Sequence, residues 1–396
     1  MLSASQKDRA LQLVQDLMAI PGVSGEEAEV AARVRQELLS VGVPEEAITH
    51  DTAHTRCPIP HSTTGNLIVS LLGNRPGPHR LLMAHMDTVP ICVGARPKVQ
   101  DGMLVPQDAH TGLGADDRAG VATVLFAATE LLAQKIPHGP LTLLFTVQEE
   151  IGLQGARFLE VEKLGNPDLA FNWDGGNPAK LTIGAIGGYR MTIDIHGLAS
   201  HAGVAPEKGV SAITVAGIAI NKLHEQGLLG KISQGELSGT SNIGVIQGGN
   251  ATNVVADHVQ LRAEVRSHQK ETIEILVDRF EQAFQQAATE VQNNSNHMAK
   301  VEFDGDLNYE PFAMSPETPS VQAASDVLSG LGMDPAKSIA NGGLDANWLY
   351  LHGIPAVTLG CGQLNQHMTS EMLDIDQFHT ACEVALQIAS GKGSAE

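Results

Sequence analysis

The sequence is poor in aromatic residues and cysteine, and it has no long hydrophobic run. Phe, Trp and Tyr make up only 4% of its 396 residues, which argues against a surface that stacks nucleic acid bases. Its four cysteines show no CxxC spacing and are too sparse for a disulfide framework, so reduced thiols are expected. No apolar run reaches the roughly 18 residues of a transmembrane helix, so no membrane span is predicted.

Positive charge is also scarce. The chain has 25 Lys and Arg against 45 Asp and Glu, a formal net charge of -20. This balance argues against nucleic acid or an anionic membrane as a partner. The first twenty residues carry charges inside a helical pattern and lack the apolar core of a signal peptide, so a cytoplasmic protein is expected. The acidic surplus fits a solvated surface, and it also fits metal ligands.

The order of predicted elements indicates an α/β domain with a central mixed sheet. Strands and helices alternate over residues 1–186 and again over 310–396, and several strands are apolar on both faces. In the first of these segments, Ser24 and Glu27 have the spacing of a capping box at the start of a helix.

Residues 187–309 follow a different pattern. Their predicted order is β-α-β-β-α-β, which is typical of a ferredoxin-like α+β unit. The first helix of this segment is predicted from about Pro206 to Glu225. We therefore expect a small domain of residues 187–309 inserted into the α/β domain.

Side chains that bind metals cluster where the predicted strands of the α/β domain end. At the carboxyl edge of an open α/β sheet, such residues form a functional site. Taken singly, each has an ordinary explanation, such as a helix N-terminus or a turn. Together they supply two imidazoles and several carboxylates, a donor set that suits Zn²⁺, Mn²⁺ or Co²⁺. The candidates are His85, Asp87, Asp116, Asp117, Glu149, Glu150, Asp174 and His367.

Glu149 and Glu150 are adjacent carboxylates at the end of an apolar strand. Because successive side chains of a strand point to opposite sides, the two glutamates are predicted to have different roles. A nucleophilic mechanism is not favoured. Ser200 precedes His201, but sequence adjacency does not make a catalytic triad, and no nucleophile elbow occurs.

Seven stretches together resemble one family of enzymes. They are "HMDTVP", "GLGADDRAGVA", "VQEEIGLQGA", "NWDGG", "ASHAG", "GLDAN" and "NQHMTSE", in this order along nearly the whole chain. They are similar to motifs of the dinuclear zinc hydrolases that include peptidase T, carboxypeptidase G and aminoacylases. The similarity is greatest to peptidase T and peptidase T-like proteins.

This resemblance implies a role for each candidate. Asp116 would bridge two metal ions, most often zinc in the family, with cobalt or manganese as alternatives. His85 and Asp174 would complete one metal site, and Glu150 and His367 would complete the other. The resemblance further implies that Glu149 is the general base, which activates a metal-bridging water, and that Asp87 orients His85. Asp117 is expected to be structural.

In the inserted domain, the resemblance gives roles to three more residues. His201 would stabilise the tetrahedral oxyanion, usually in the active site of the partner subunit, and Asn253 and Arg266 would bind substrate. The arginine also has an ordinary reading as a surface charge on a strand. The inserted domain would act as a lid and as the dimerisation surface of a homodimer. His61, in "CPIPHSTTGN", receives no role.

The sequence therefore predicts metal-dependent hydrolysis of an amide bond in small peptides, with a tripeptide aminopeptidase as the leading hypothesis. An N-acyl amino acid amidohydrolase of the aminoacylase type is the alternative, since the same metals would serve it. A non-catalytic peptide-binding protein is a third possibility, but it should lack a ligand or the base, and every motif residue is present.

Overall fold

The computed structural model describes residues 1–392, which divide into two compact units. Among the described residues, the first unit consists of residues 1–185 and 313–392, and the second of residues 186–312. The helices are α1 (Ala4–Met18), α2 (Ala28–Ser40), α3 (Ala115–Ala133), α4 (Gln154–Arg157), α5 (Ala212–Glu225), α6 (Lys270–Glu290), α7 (Pro319–Gly330), α8 (Asp345–Leu351) and α9 (Ile375–Ser390).

The strands found in residues 1–392 fall into three sheets. They are β1 (Ile48–His50), β2 (Leu67–Leu71), β3 (Arg80–His85), β4 (Pro97–Gln100), β5 (Met103–Pro106), β6 (Leu141–Thr146), β7 (Leu169–Trp173), β8 (Lys180–Ala185), β9 (Gly187–His196), β10 (Gly230–Gln234), β11 (Leu237–Gly248), β12 (His258–Ser267), β13 (Lys300–Tyr309), β14 (Phe312–Ala313), β15 (Ala336–Ala340), β16 (Ala356–Leu359), β17 (Gln363–Leu364) and β18 (Met372–Asp374).

The first unit is built on a mixed sheet in the order β1-β2-β6-β3-β7-β16-β8-β14, with β15 paired to β8. Its centre is parallel: β6, β3, β7 and β16 are neighbours that all run the same way. Strands β3 and β6 are buried along their whole length. This explains their nearly continuous apolar sequences, which are typical of strands covered on both faces. The predicted fold class is confirmed.

Helix α3 packs against this sheet and is itself buried almost all round. A helix that is apolar on every side belongs in the interior of a domain, whereas amphipathic helices such as α1 and α9 cover the outside. A smaller sheet, in the order β17-β18-β5-β4, completes the unit.

The second unit is a five-stranded antiparallel sheet in the order β10-β11-β12-β9-β13. Without β10, the strand order is that of a ferredoxin-like unit. Helices α5 and α6 pack together and bury one face of the sheet in a core that includes Phe280, Phe284, Leu261 and Ile193. The edge strand β10 was absent from the predicted elements.

Two local predictions are wrong. The helix predicted from about Pro206 begins only at Ala212, with Ser211 as its N-cap, and Pro206–Lys208 forms a separate short turn of 3-10 helix. The capping box predicted at Ser24 and Glu27 does not form, because α2 begins at Ala28 and neither side chain caps it. Within residues 1–392, no helix is long and apolar enough to cross a membrane.

Candidate metal centre and active site

The predicted ligands of the first unit meet at one edge of its central sheet. His85 is the last residue of β3, Asp174 follows β7, and Glu150 follows β6. Because these strands are parallel neighbours, their carboxyl ends bring the three side chains to the same place. Asp116 reaches this edge from the first turn of α3, and His367 reaches it from the loop between β17 and β18.

Asp116 lies at the centre of the cluster, with each carboxylate oxygen facing a different histidine. Its Oδ1 is 3.1 Å from His85 Nε2, and its Oδ2 is 3.4 Å from His367 Nε2. The same His367 nitrogen is 2.9 Å from Glu150 Oε2. One carboxylate between two imidazoles has the arrangement of a ligand shared by two metal ions.

The potential ligand atoms are close enough to bind cations. Three overlapping groups each have their donor atoms within 4.8 Å of one another. These are His85, Asp116 and Glu150; His85, Glu149 and Asp174; and Asp116, Asp117 and Asp174. Imidazole nitrogens and carboxylate oxygens are donors that borderline divalent ions prefer, so the residues present fit a metal centre.

The electrostatics of the cluster point the same way. Burial raises the pKa of Asp174 to about 7, and the nearby Asp116 carboxylate adds to the rise. Burial also raises the pKa of Glu149 well above its usual range, with Asp345 and Asp174 contributing. Several carboxylates thus crowd a partly buried site, an arrangement that divalent cations would stabilise by offsetting the repulsion between the carboxylates.

The surrounding negative charge raises the pKa of both histidines. Hydrogen bonds to Asp116 and Glu150 raise the pKa of His367 to about 10. Burial lowers the pKa of His85, but Glu149 and the hydrogen bonds to Asp116 and Asp87 outweigh it, so the net shift is well upward. Both imidazoles therefore lie in a strongly cation-attracting field.

Asp87 and Asp117 are fully buried and contact other groups of the cluster. The Nδ1 atom of His85 lies 3.4 Å from Asp87 Oδ1 and 3.2 Å from the Asp87 carbonyl oxygen, so its Nε2 faces Asp116. Asp117 accepts the backbone N–H groups of His85 and Gly120 and the side-chain amide of Gln363. These contacts leave Asp117 tied to the surrounding backbone.

Glu149 and Glu150 do not belong to a strand. Strand β6 ends at Thr146, and both glutamates lie in the turn that follows it, where Gln148 has a φ of 53°. The alternation of a strand therefore does not explain why their side chains separate, and that premise of the sequence prediction is wrong. The turn itself sets their directions.

Known proteins resemble this chain in sequence and in structure. A sequence profile described as Peptidase family M20/M25/M40 matches residues 81–390. The chain belongs to this peptidase family. An uncharacterised Bacillus subtilis protein, YqjE, is 33% identical, with 96% of this chain and 97% of that protein aligned.

Two solved structures are similar to this M20/M25/M40 chain over 98% of its length. A tripeptidase from Staphylococcus aureus has a TM-score of 0.86 at 31% identity, with 98% of its own chain covered. The aminopeptidase PepT from Bacillus cereus has a TM-score of 0.83 at 32% identity, with 99% covered. The resemblance to peptidase T-like proteins is confirmed, and the prediction of a metallopeptidase enzyme is confirmed with it.

The other residues to which the sequence analysis gave roles, His201, Asn253 and Arg266, lie in the second unit. His201 forms a β-bridge with Val254, and the backbone N–H of Ala202 bonds to the Asn253 carbonyl at 2.9 Å, so His201 and Asn253 are neighbours. Arg266, on β12, donates from Nε and Nη2 to the Glu264 carboxylate. His61, which received no role, lies instead in the first unit, where it is exposed in the loop before β2.

Glu371 is a residue that sequence reasoning missed, although it lies in the same "NQHMTSE" stretch as His367. It is buried, and its Oε2 accepts the backbone N–H groups of Leu113 and Gly114 at 2.8 and 2.7 Å. Its Oε1 accepts the N–H of Asp116 at 3.0 Å. A single carboxylate thus fixes the segment that presents Asp116.

Glu371→Gln should weaken metal binding about 10- to 100-fold, as is usual when a group that orients a ligand is altered. Glutamine has one acceptor oxygen in place of two, and its amide donor would face backbone N–H groups. Competition with a chromophoric chelator measures the affinity. The exposed Glu46→Gln serves as the control. Wild-type affinity in the Glu371 variant would contradict this role.

Proposed function

We propose that this protein is a dinuclear metallopeptidase that releases the N-terminal residue of a tripeptide. The observation that carries the proposal is the Asp116 carboxylate, whose two oxygens face His85 and His367 within a buried group of further carboxylates. The similarity to a tripeptidase and to an aminopeptidase PepT over 98% of the chain supports the choice of substrate.

His85, Asp116 and Asp174 would hold one metal ion, and Asp116, Glu150 and His367 would hold the other. We propose zinc as the metal, because two imidazoles and several carboxylates without a thiolate match its ligand preferences, which cobalt and manganese share. When bound, such a pair of cations polarises a peptide carbonyl and lowers the pKa of a water molecule.

Glu149 acts as the general base. Its carboxylate accepts a proton from the attacking water and passes it to the leaving amine nitrogen. Burial, with Asp345 and Asp174 adding to it, raises the pKa of Glu149, so its carboxylate holds a proton more strongly than an exposed glutamate does. Asp87 keeps His85 in the orientation that points Nε2 at Asp116.

His201 stabilises the oxyanion that forms on the substrate carbonyl. The backbone N–H of Gly203 donates to His201 Nδ1 at 3.1 Å, so in the neutral ring the proton is on Nε2, which is free to donate. Arg266, whose Nε and Nη2 bond to Glu264, supplies a positive charge that suits a substrate carboxylate, and Asn253, beside His201, supplies further polar contacts.

The inserted unit, residues 187–309 by the sequence prediction, serves as lid and dimerisation domain. We propose a homodimer in which His201 acts on the partner subunit's active site. The site works on a small peptide, and a cytoplasmic location is proposed from the charge balance and cysteine content.

A substrate panel tests the proposed function directly. Purified protein loaded with Zn²⁺, Co²⁺ or Mn²⁺ is offered tripeptides, dipeptides and N-acetyl amino acids, and the released amines are identified by mass spectrometry. Tripeptides should give the highest kcat/KM, with a free amino acid as the first product. Preference for N-acetyl amino acids would replace the proposal with an aminoacylase function.

Substitutions of the two adjacent glutamates should separate chemistry from metal binding. Glu149→Gln is expected to retain both metal ions and lower kcat about 10²- to 10⁴-fold, since it removes the general base. Glu150→Gln should instead lose metal, measured as metal content after dialysis. Full turnover in the Glu149 variant, or normal metal content in the Glu150 variant, would refute the division of roles.

His201→Ala should lower kcat about 10²- to 10³-fold without changing the metal content, because it removes one oxyanion donor. Mixing this variant with Glu149→Gln tests whether His201 acts across a dimer. If it does, randomly mixed subunits recover roughly a quarter of wild-type activity, because half of the dimers each regain one of two sites. No recovery despite exchange of subunits would place His201 in its own subunit's site.

A further inference from the structure

The turn that carries Glu149 and Glu150 is held by side chains from three distant segments. Four consecutive backbone N–H groups of this turn bond to side-chain oxygens. Val147 donates to Asn66 Oδ1 at 3.1 Å, Gln148 to Glu27 Oε1 at 3.0 Å, and Glu149 and Glu150 to the two oxygens of Asp87 at 3.0 and 3.1 Å.

Glu27 bonds to Gln148, the residue of the turn with the least common backbone conformation. Gln148 has a φ of 53°, in the left-handed region that residues other than glycine seldom adopt. Such a conformation persists only when the surrounding contacts fix it. Glu27 supplies one of those contacts, immediately before the two residues that the proposed mechanism uses.

Glu27 is well placed to hold the turn rigidly. It is fully buried, and its Oε1 also accepts the backbone N–H of Gly25 at 2.8 Å, which fixes the side chain against its own loop. Its Oε2 is buried without a hydrogen-bond partner among the described residues. All of its bonding to the turn therefore passes through one oxygen atom.

A second reading gives Glu27 a purely electrostatic task. Burial lowers the pKa of Arg118 to about 10, and the negative charges of Asp87 and Glu27 oppose that fall. In that case the charge of Glu27 would matter and its reach to Gln148 would not. One hypothesis requires the length of the Glu27 side chain and the other requires its charge, so substitutions that change one property at a time distinguish them.

We propose that Glu27 is a positioning residue that aims Glu149 and Glu150 by holding the Gln148 amide. The inference rests on the proposed roles of those two glutamates. Holding the Gln148 amide requires an acceptor oxygen at the position of Glu27 Oε1. It does not require the negative charge of Glu27.

Two variants test this inference. Glu27→Gln keeps an acceptor at the same reach and removes the charge, so kcat and metal affinity should stay within about 3-fold of wild type, a difference of about 0.65 kcal/mol. Glu27→Asp keeps the charge but is one methylene too short. It should lower kcat about 10- to 100-fold with little change in KM, since small misplacements of catalytic groups are costly.

Hydrogen exchange of the Gln148 amide gives a readout independent of turnover. Exchange should be faster in Glu27→Asp and unchanged in Glu27→Gln. If the wild-type protein cleaves no peptide, the proposed function fails while this comparison still tests the inference. The exposed neighbour Glu26, changed to Asp and to Gln, provides matched controls that should behave as wild type.

The inference is overturned if Glu27→Gln loses as much activity as Glu27→Asp, or if Glu27→Asp has wild-type kcat and amide exchange. Should the Asp variant fail to fold, Glu27→Met replaces it, because methionine has a similar length and lacks the strong acceptor. Wild-type kcat and exchange in that variant would overturn the inference equally.

Discussion

Carboxylates that accept backbone N–H groups are the constraint on which this site depends. The candidate metal-binding edge lies where strands have ended, so its peptide groups have lost their partners in the sheet. Buried peptide groups must be satisfied, and charged acceptors make the stronger hydrogen bonds. Asp87 serves the turn after β6, Asp117 serves the end of β3, and Glu371 serves the loop before α3. The same buried negative charge that orders the backbone makes the site attractive to cations.

The convergence of the candidate ligands could be predicted from the sequence because they lie at the ends of easily recognised strands. Apolar runs that end in His, Asp or Glu identify β3, β6 and β7 and bring the residues after them to one edge. The order of elements in residues 187–309 likewise predicts the ferredoxin-like arrangement. These patterns reveal which strands are buried and where each strand ends, and both are properties that a short stretch of sequence determines.

The supporting carboxylates could not be predicted in this way. Glu27 looked like part of a capping box, since its spacing from Ser24 fits one, yet Ser24 donates to Asp87 and Glu27 bonds to Gln148. A glutamate at a helix start reads the same whether it caps its own helix or accepts from a turn far away in sequence. Glu371 is similar, because its three backbone partners lie more than 250 residues earlier. Only the tertiary structure distinguishes these cases.

The side chains that accept backbone N–H groups at the site are spread along the chain, and their positions determine how much of the sequence the site needs. The family profile begins at residue 81, and every proposed metal ligand and the proposed base lie after that point. Glu27 and Asn66, which accept two of the four N–H groups in the turn, lie before it. A fragment starting at residue 81 would contain all the reactive groups of the first unit and still lack two of their anchors. The segment that the family profile recognises is therefore shorter than the segment that the folded site needs to hold its reactive groups in place.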